Sequence, residues 1–112
     1  IENVKKYVTL NISDNNISLE TVSCHFGISS AHLSRIFKEI SGMNFIDFVI
    51  NQKLEYAMKK LLTTDLTVDS ISKLVGYSNT QYFISKFKSK YGKTPNRFRL
   101  NIREIKLQDT EA

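Results

Sequence analysis

The chain has 112 residues, of which 41% are hydrophobic, so it is long enough for one globular domain or two very small lobes. Its net charge of +5 favours a polyanionic partner. One cysteine, Cys24, excludes an internal disulfide, and no apolar run reaches the roughly 20 residues that a membrane helix requires. The low proline and glycine content favours helices over sheet.

A helix of about two to three turns is predicted at the start of the chain. Val4, Tyr7 and Val8 recur there at helical spacing, and the polar cluster from Asn11 to Asn16 is expected to end the helix. We expect this helix to cover the first core.

Two helices separated by a glycine turn are predicted next. Ser18 is expected to cap the first of them, and Gly27 to end it, because glycine tolerates a positive φ. Ser29 is expected to cap the second helix, which runs to about Ile40. A short helix, a turn that contains glycine and a second helix form a helix-turn-helix.

The second of these helices has two different faces. The apolar residues that follow the i, i+3, i+4, i+7 rule are predicted to face the core: Leu33, Ile36, Phe37 and Ile40. The opposite face is small, polar and basic, and consists of Ala31, Ser34, Arg35 and Lys38. Such a face suits a helix that enters the major groove of DNA. The alternative is an ordinary solvated face on which Arg35 pairs with Glu39.

From Phe45 to Leu62 a single long helix is predicted, and its apolar face changes direction halfway along. The first half carries Phe45, Ile46, Phe48, Val49 and Ile50. The second half carries Leu54, Ala57, Met58, Leu61 and Leu62, rotated by roughly 140° on a helical wheel. This rotation favours a helix that contributes to two small cores, a rigid spacer of roughly 27 Å.

The remainder of the chain repeats the first part. The four glycines form two pairs, in which Gly27 matches Gly76 and Gly42 matches Gly92 at offsets of 49 and 50 residues. The segment 18–23 aligns in the same way with 67–72. The repeat indicates a duplicated helix-turn-helix.

In the second copy, Thr67 is expected to cap a helix that buries Val68, Ile71 and Val75. Ser78 or Asn79 then caps a helix with Phe83, Phe87 and Tyr91 inward and with Gln81, Ile84, Ser85 and Lys88 outward. After Gly92, Thr94 and Pro95 begin a last short helix, with Phe98 inward and Arg97 and Arg99 outward. Beyond Arg103 we expect a short helical extension or a frayed tail. Seven basic residues and no acid lie between Lys86 and Arg103.

These residues resemble the AraC/XylS family of transcriptional regulators. The family signature is matched in the second copy by Gly76-Tyr77-Ser78, Tyr82-Phe83, Phe87-Lys88, Gly92, Thr94-Pro95 and Phe98-Arg99. The first copy matches it at Gly27-Ile28-Ser29, Leu33, Arg35, Phe37-Lys38 and Gly42, and the long helix at Leu54, Ala57 and Leu61-Leu62. The similarity extends from about Val4 to Arg99.

The resemblance implies an all-α fold of about seven helices, with two helix-turn-helix lobes at 1–44 and 64–112 joined by a linker helix at 45–63. It implies sequence-specific binding of double-stranded DNA, with recognition helices at about 30–41 and 79–91 in major grooves. Base contacts would come from Ala31, Ser34, Arg35, Gln81, Ile84 and Ser85. Phosphate contacts would come from Ser30, Lys38, Asn79 and Lys88.

The chain departs from the family pattern at Ser85, where relatives often carry an arginine that reads guanine. The second lobe is therefore predicted to read sequence weakly, with Gln81 directed to adenine and Ile84 to a thymine methyl group. Serines also replace the usual small alanine at Ser23 and Ser72.

RNA polymerase is a further candidate partner in such a regulator. A companion effector or dimerisation domain outside this sequence and a cytoplasmic location at the bacterial nucleoid are also expected. We expect no metal site, because the Gly27 turn separates His25 from His32 and no further ligand completes a set. We also expect no cofactor and no enzymatic activity. The main alternative is a helical protein-interaction module that has lost specific DNA binding, although it would not explain why Lys38 and Lys88 recur.

Overall fold

A computed structural model describes residues 1–14 and 16–111, with side chains as far as Ile105. Over these residues the chain forms seven α-helices and no strand, which confirms the predicted all-α fold. The helices are α1 (Glu2–Leu10), α2 (Leu19–His25), α3 (Ser30–Ser41), α4 (Phe45–Thr63), α5 (Val68–Leu74), α6 (Thr80–Tyr91) and α7 (Pro95–Glu111). No helix in this described part is both long enough and apolar enough to cross a bilayer.

The chain divides within α4 into two compact units, Ile1–Lys53 and Leu54–Ala112. Each unit contains one helix-turn-helix, α2–α3 in the first and α5–α6 in the second. The finer division into two lobes and a separate linker remains a prediction.

The first unit is built on a core of aliphatic residues and phenylalanines. Val4 and Val8 of α1 are buried, as the predicted covering role of this helix requires. The other buried residues include Val22, Leu33, Phe37, Phe45 and Val49. The Phe37 ring lies edge-on to the Phe45 ring, with centroids 5.5 Å apart. Each such fully buried side chain stabilises the unit by about 1.5–3 kcal/mol.

Helix ends in the first unit follow from local chemistry. The Ser18 hydroxyl accepts a hydrogen bond from the Thr21 amide, and the Thr21 hydroxyl contacts the Ser18 amide in return. The Ser29 side chain accepts from the His32 amide at the start of α3. Gly27, at φ 69°, turns the chain between the two helices. These three sequence predictions are confirmed.

The second unit repeats this architecture around α4, α5 and α6. Its core includes Leu54, Ala57, Leu61, Val68, Ile71, Val75, Phe83 and Phe87. Thr67 caps α5, and Asn79 rather than Ser78 caps α6. Pro95 is buried at the first position of α7, and the Thr94 hydroxyl accepts from the Arg97 amide, as expected for a cap.

Three residues predicted to be buried are exposed. Ile40 is 67% exposed although it follows the inward pattern of α3, and it lies in the last turn of that helix. Ile46 and Leu62 are 64% and 38% exposed. Each follows a buried residue, and successive side chains of a helix point about 100° apart.

The last helix has 17 residues and continues beyond Arg103, which agrees with the helical extension expected there as one of two possibilities. No glycine or proline follows Pro95, so nothing in the sequence interrupts the helix.

The prediction that Arg99 points outward is wrong. Its side chain is buried, and its guanidinium donates to the carbonyl oxygens of Leu61 (3.1 Å), Thr64 (3.1 Å) and Leu66 (2.6 Å). The last carbonyls of a helix lack intrahelical donors, and a cation is favourable beside them. Arg99 therefore supplies the donors that the end of α4 and the α4–α5 loop require.

Candidate nucleic-acid interface

The outer face of α3 is presented to solvent as predicted. Ala31, Arg35 and Lys38 are exposed, and Ser34 is partly exposed beside them. The same open surface includes Glu39. A short side chain next to two cations leaves room for a base edge and offers donors to it, which is the arrangement that major-groove recognition requires.

Arg35 lies between two neighbours on its own helix. Its Nη1 atom is 3.6 Å from Glu39 Oε1, and its Nη2 atom is 3.2 Å from His32 Nδ1. Because a guanidinium can only donate, His32 Nδ1 is the acceptor in this contact. Both members of the Arg35–Glu39 pair are 61% exposed, so the pair contributes about 0–1 kcal/mol. The pairing considered as the alternative for Arg35 is thus present, but it is weaker than the roughly 1–3 kcal/mol of a bidentate guanine contact.

At the start of α3, Ser29 is the capping residue and Ser30 has a different role. Ser30 Oγ lies 3.0 Å from Ser23 Oγ, and Ser23 in turn donates to the Glu20 carbonyl. The Ser30 proton is therefore directed to Ser23, which joins α3 to α2. A phosphate needs a donor, so the contact predicted for Ser30 would use its backbone N–H, which is unpaired within a helix at this position.

The outer face of α6 is exposed at Gln81, Ser85 and Lys88, whereas Ile84 is partly buried. Asn79 Oδ1 accepts a hydrogen bond from the Tyr82 amide at 3.1 Å. The NH₂ group of the Asn79 side chain is then the donor available for a phosphate. Of the five residues predicted to contact DNA at α6 and its cap, four are exposed and Ile84 is partly buried.

A polar contact that the sequence did not predict holds the start of α6 against α5. Thr80 Oγ1 donates to Asp69 Oδ1 at 2.6 Å, and Lys73 Nζ lies 3.1 Å from Asp69 Oδ2. The Thr80 hydrogen bond and the charge of Lys73 hold the pKa of Asp69 below its usual range. The ion pair of Asp69 and Lys73 could have been predicted from their i, i+4 spacing. The contact of Asp69 with Thr80 could not, because it depends on the path of the turn between α5 and α6.

The basic segment from Lys86 to Arg103 is not all available to a partner. Arg99 is buried, Arg103 Nη2 lies 3.0 Å from Asp65 Oδ1, and Lys90 Nζ lies 3.7 Å from Glu55 Oε1. Lys88, Lys93 and Arg97 are exposed. The surface charge that this segment offers to a polyanion is accordingly smaller than the sequence suggests.

The two tyrosines of α6 are buried to different extents. Tyr91 is partly buried, with its ring centroid 4.7 Å from that of Phe87. Tyr82 is 50% exposed, and Lys86 Nζ lies 5.4 Å from the centroid of its ring. The inward position predicted for Tyr91 is therefore confirmed, whereas Tyr82, one residue before the buried Phe83, is half exposed.

Within the described residues, no three side chains of the His, Cys, Asp and Glu types lie close enough together to hold a metal ion. His25 instead stacks on Tyr7 with ring centroids 4.1 Å apart, and thereby links α2 to α1.

Two helix-turn-helix units, each with an exposed polar face on its second helix, define a DNA-binding domain of a transcriptional regulator. Residues 22–101 match the helix-turn-helix domain family. The uncharacterized HTH-type transcriptional regulator YfiF of Bacillus subtilis is 36% identical over 103 residues, which are 89% of this chain and 32% of that protein. The chain thus spans about a third of the length of this relative.

Solved structures agree with this assignment. The C-terminal domain of the two-component response regulator yesN from Fusobacterium nucleatum is 34% identical, with a TM-score of 0.81 over 88% of this chain and 95% of that one. The DNA-binding domain of AdpA, solved in complex with a target DNA, superposes with a TM-score of 0.87 over 96% of each chain. At 20% identity this last likeness shows the fold alone. The chain belongs to the AraC/XylS family of helix-turn-helix regulators.

Proposed function

We propose that this domain binds double-stranded DNA at specific sequences, with α3 and α6 as its two recognition helices in major grooves. The observation that carries the proposal is the outer face of α3, where exposed Arg35 stands beside exposed Ala31. An arginine at such a position can donate hydrogen bonds from both of its terminal nitrogens to O6 and N7 of guanine, and an alanine allows the helix to approach closely.

Base recognition is assigned to six residues. Arg35 reads guanine, while Ala31 and Ser34 fit the same groove beside it. On α6, Gln81 is assigned to adenine, Ile84 to a thymine methyl group and Ser85 to the polar edge of a neighbouring base. Because Ser85 lacks a forked donor, the second unit contributes less to sequence choice than the first.

Orientation on the DNA backbone is assigned to residues at the helix ends and on the flanks. The N-terminal turns of α3 and α6 contribute Ser30 through its amide and Asn79 through its side chain. Lys38 and Lys88 occupy equivalent exposed positions and would each neutralise a phosphate.

The test is selection of bound duplexes from a random pool, followed by titration of the selected site at several salt concentrations. We expect enrichment of a defined sequence and a steep negative dependence of log affinity on log salt. A flat salt dependence without enrichment would favour the helical protein-interaction module instead. A steep dependence without enrichment would leave an architectural, sequence-independent binder.

The wider assignment is part of the same proposal. The chain spans 32% of the length of YfiF, which supports a companion effector or dimerisation domain in the whole protein. We assign the protein to the bacterial cytoplasm at the nucleoid, with RNA polymerase as its partner and no enzymatic activity in this domain. Transcription in vitro from a template that carries the selected site, with and without the protein, tests the polymerase step.

A further inference from the structure

Three cations lie where α6 ends and α7 begins. Lys88 is in the last turn of α6, Lys93 follows the turn at Gly92, and Arg97 is in the first turn of α7. The Gly92 amide donates to the Lys88 carbonyl at 2.7 Å. The Arg97 amide donates to the Thr94 hydroxyl at 3.4 Å. One tight turn therefore joins the three cations, which we call the α6–α7 corner.

The side chains of the α6–α7 corner are all exposed. Within the described part of the chain none of the three forms an ion pair, although the nearby Lys90 pairs with Glu55 and Arg103 pairs with Asp65. Exposed cations without an acid beside them repel one another in the free domain, and a polyanion relieves this repulsion. The corner therefore offers uncompensated positive charge to a partner.

The duplicated chain shows that the fold does not require these cations. The equivalent positions between α3 and α4 carry Lys38, Met43 and Asp47. Only the first lysine recurs, since methionine stands in place of Lys93 and an exposed aspartate in place of Arg97. The first unit thus builds the same turn with one cation and one acid.

The two recognition helices differ in the opposite sense. The helix α3 carries the arginine that is proposed to read guanine, whereas α6 carries Ser85 at the equivalent position. A unit with weak base contacts depends on its backbone contacts for affinity. Phosphate contacts supply affinity that is independent of sequence, and this is the contribution that the charge of the corner can make.

We propose that the α6–α7 corner is a phosphate-binding site, in which Lys93 and Arg97 add to the contact assigned to Lys88. Through this site the second unit holds the DNA backbone, while the first unit selects the sequence. The inference rests on the proposed function, because it requires that α6 lies against DNA.

The experiment compares the double variant Lys93→Met/Arg97→Gln with the unchanged domain on the selected duplex and on a random duplex, each at several salt concentrations. Loss of two phosphate contacts should make the slope of log affinity against log salt shallower by about 1.8 on both duplexes. At 0.1 M salt we expect both affinities to fall by the same factor, roughly 10- to 60-fold. The preference for the selected duplex should be unchanged, because a phosphate contact carries no sequence information.

A second double variant, Lys6→Met/Lys59→Gln, is the matched control. It removes two exposed lysines of α1 and α4 that lie outside the proposed contact set, and so lowers the net charge equally. We expect it to leave the slope nearly unchanged, because exposed charges more than about 10 Å from the duplex are screened. Circular dichroism melting confirms that each variant is folded.

Ethylation of single phosphates gives a second readout. Some phosphates whose ethylation weakens binding of the unchanged domain should no longer matter for Lys93→Met/Arg97→Gln, since their cations are absent. A residue that only stabilised the turn would not change this pattern.

The inference is overturned if Lys93→Met/Arg97→Gln keeps the salt slope or the ethylation pattern of the unchanged domain, or if the control lowers the slope as much. A loss confined to the selected duplex would also overturn it, because one of the two residues would then read a base. The proposed function fails separately, when the unchanged domain binds with a steep salt dependence but prefers no duplex. The double variant still tests the corner in that case, because the salt slope requires no sequence preference.

Discussion

Ser23 and Ser72 occupy equivalent buried positions in the two units, but their hydroxyls have different surroundings. Ser23 Oγ lies 3.0 Å from both Ser30 Oγ and the Glu20 carbonyl oxygen. Over the described part of the chain, Ser72 Oγ finds no hydrogen-bond partner. A buried hydroxyl without a partner is destabilising by about 1–3 kcal/mol, whereas one in a hydrogen bond stabilises by about 0.5–1.5 kcal/mol.

We therefore expect Ser72→Ala to raise the free energy of unfolding by about 1 kcal/mol and Ser23→Ala to lower it by a similar amount. Urea denaturation of both variants measures the two changes under the same conditions. Equal destabilisation by the two substitutions would contradict this prediction, since it would mean that Ser72 also has a partner in solution.

Arg35 should carry a larger share of specific binding than any other side chain on α3. Arg35→Ala should reduce affinity for the selected site by about 1–3 kcal/mol and relax the choice of base at one position. On random DNA the loss should be smaller, because no guanine is fixed at the position that Arg35 is proposed to read. Titration of both duplexes measures this, and an equal loss on both would refute the base assignment.

At the scale of single elements, α6 is held against α5 through Asp69. The pKa of the Asp69 carboxyl is lowered first by the hydrogen bond from the Thr80 hydroxyl and then by Lys73. A lowered pKa means that the folded chain favours the carboxylate. The resulting stabilisation is complete above the ordinary pKa of about 3.9 and is lost as pH falls through the lower folded value.

Thr80→Val and Lys73→Met should therefore each move the Asp69 pKa back toward its ordinary value. Titration of the side-chain carboxyl carbons by NMR follows both variants. If Thr80→Val left the Asp69 pKa unchanged, the hydrogen bond between Thr80 and Asp69 would not be present in solution.

The junction of α4, α5 and α7 depends on Arg99. We expect Arg99→Met to lower the free energy of unfolding by about 3 kcal/mol, because three carbonyl oxygens lose a charged donor. Arg103→Met is the matched control, since it removes the exposed pair with Asp65 and should cost about 0–1 kcal/mol. Thermal or urea unfolding compares the two, and equal small losses would show that Arg99 is dispensable.

These elements show which features can be predicted from sequence alone. The caps at Ser18, Ser29 and Thr67 were predictable, because a hydroxyl and an amide three residues apart are all that such a cap requires. The position of Arg99 was not predictable, since it depends on carbonyls more than thirty residues earlier in the chain. The contact of Ser30 with Ser23 was not predictable either, because it depends on the turn that brings α2 and α3 together.

For the whole molecule, the net charge of +5 overstates what is offered to DNA. Arg99 and Arg103 are used within the second unit, and Lys90 contacts Glu55. Lys38 and Lys88 recur at the same exposed position of α3 and α6, so we propose them as phosphate-binding residues of the two units.

Lys88→Ala should accordingly weaken binding to the selected and the random duplex by the same factor, and it should make the salt slope shallower by about 1. The reason is that a phosphate contact carries no sequence information but releases a counterion. Lys59→Ala provides the matched control, because this exposed lysine of α4 lies outside the predicted contact set. If Lys88→Ala affected the selected site alone, Lys88 would contact a base, and the second unit would have a larger part in sequence choice than its outer face suggests.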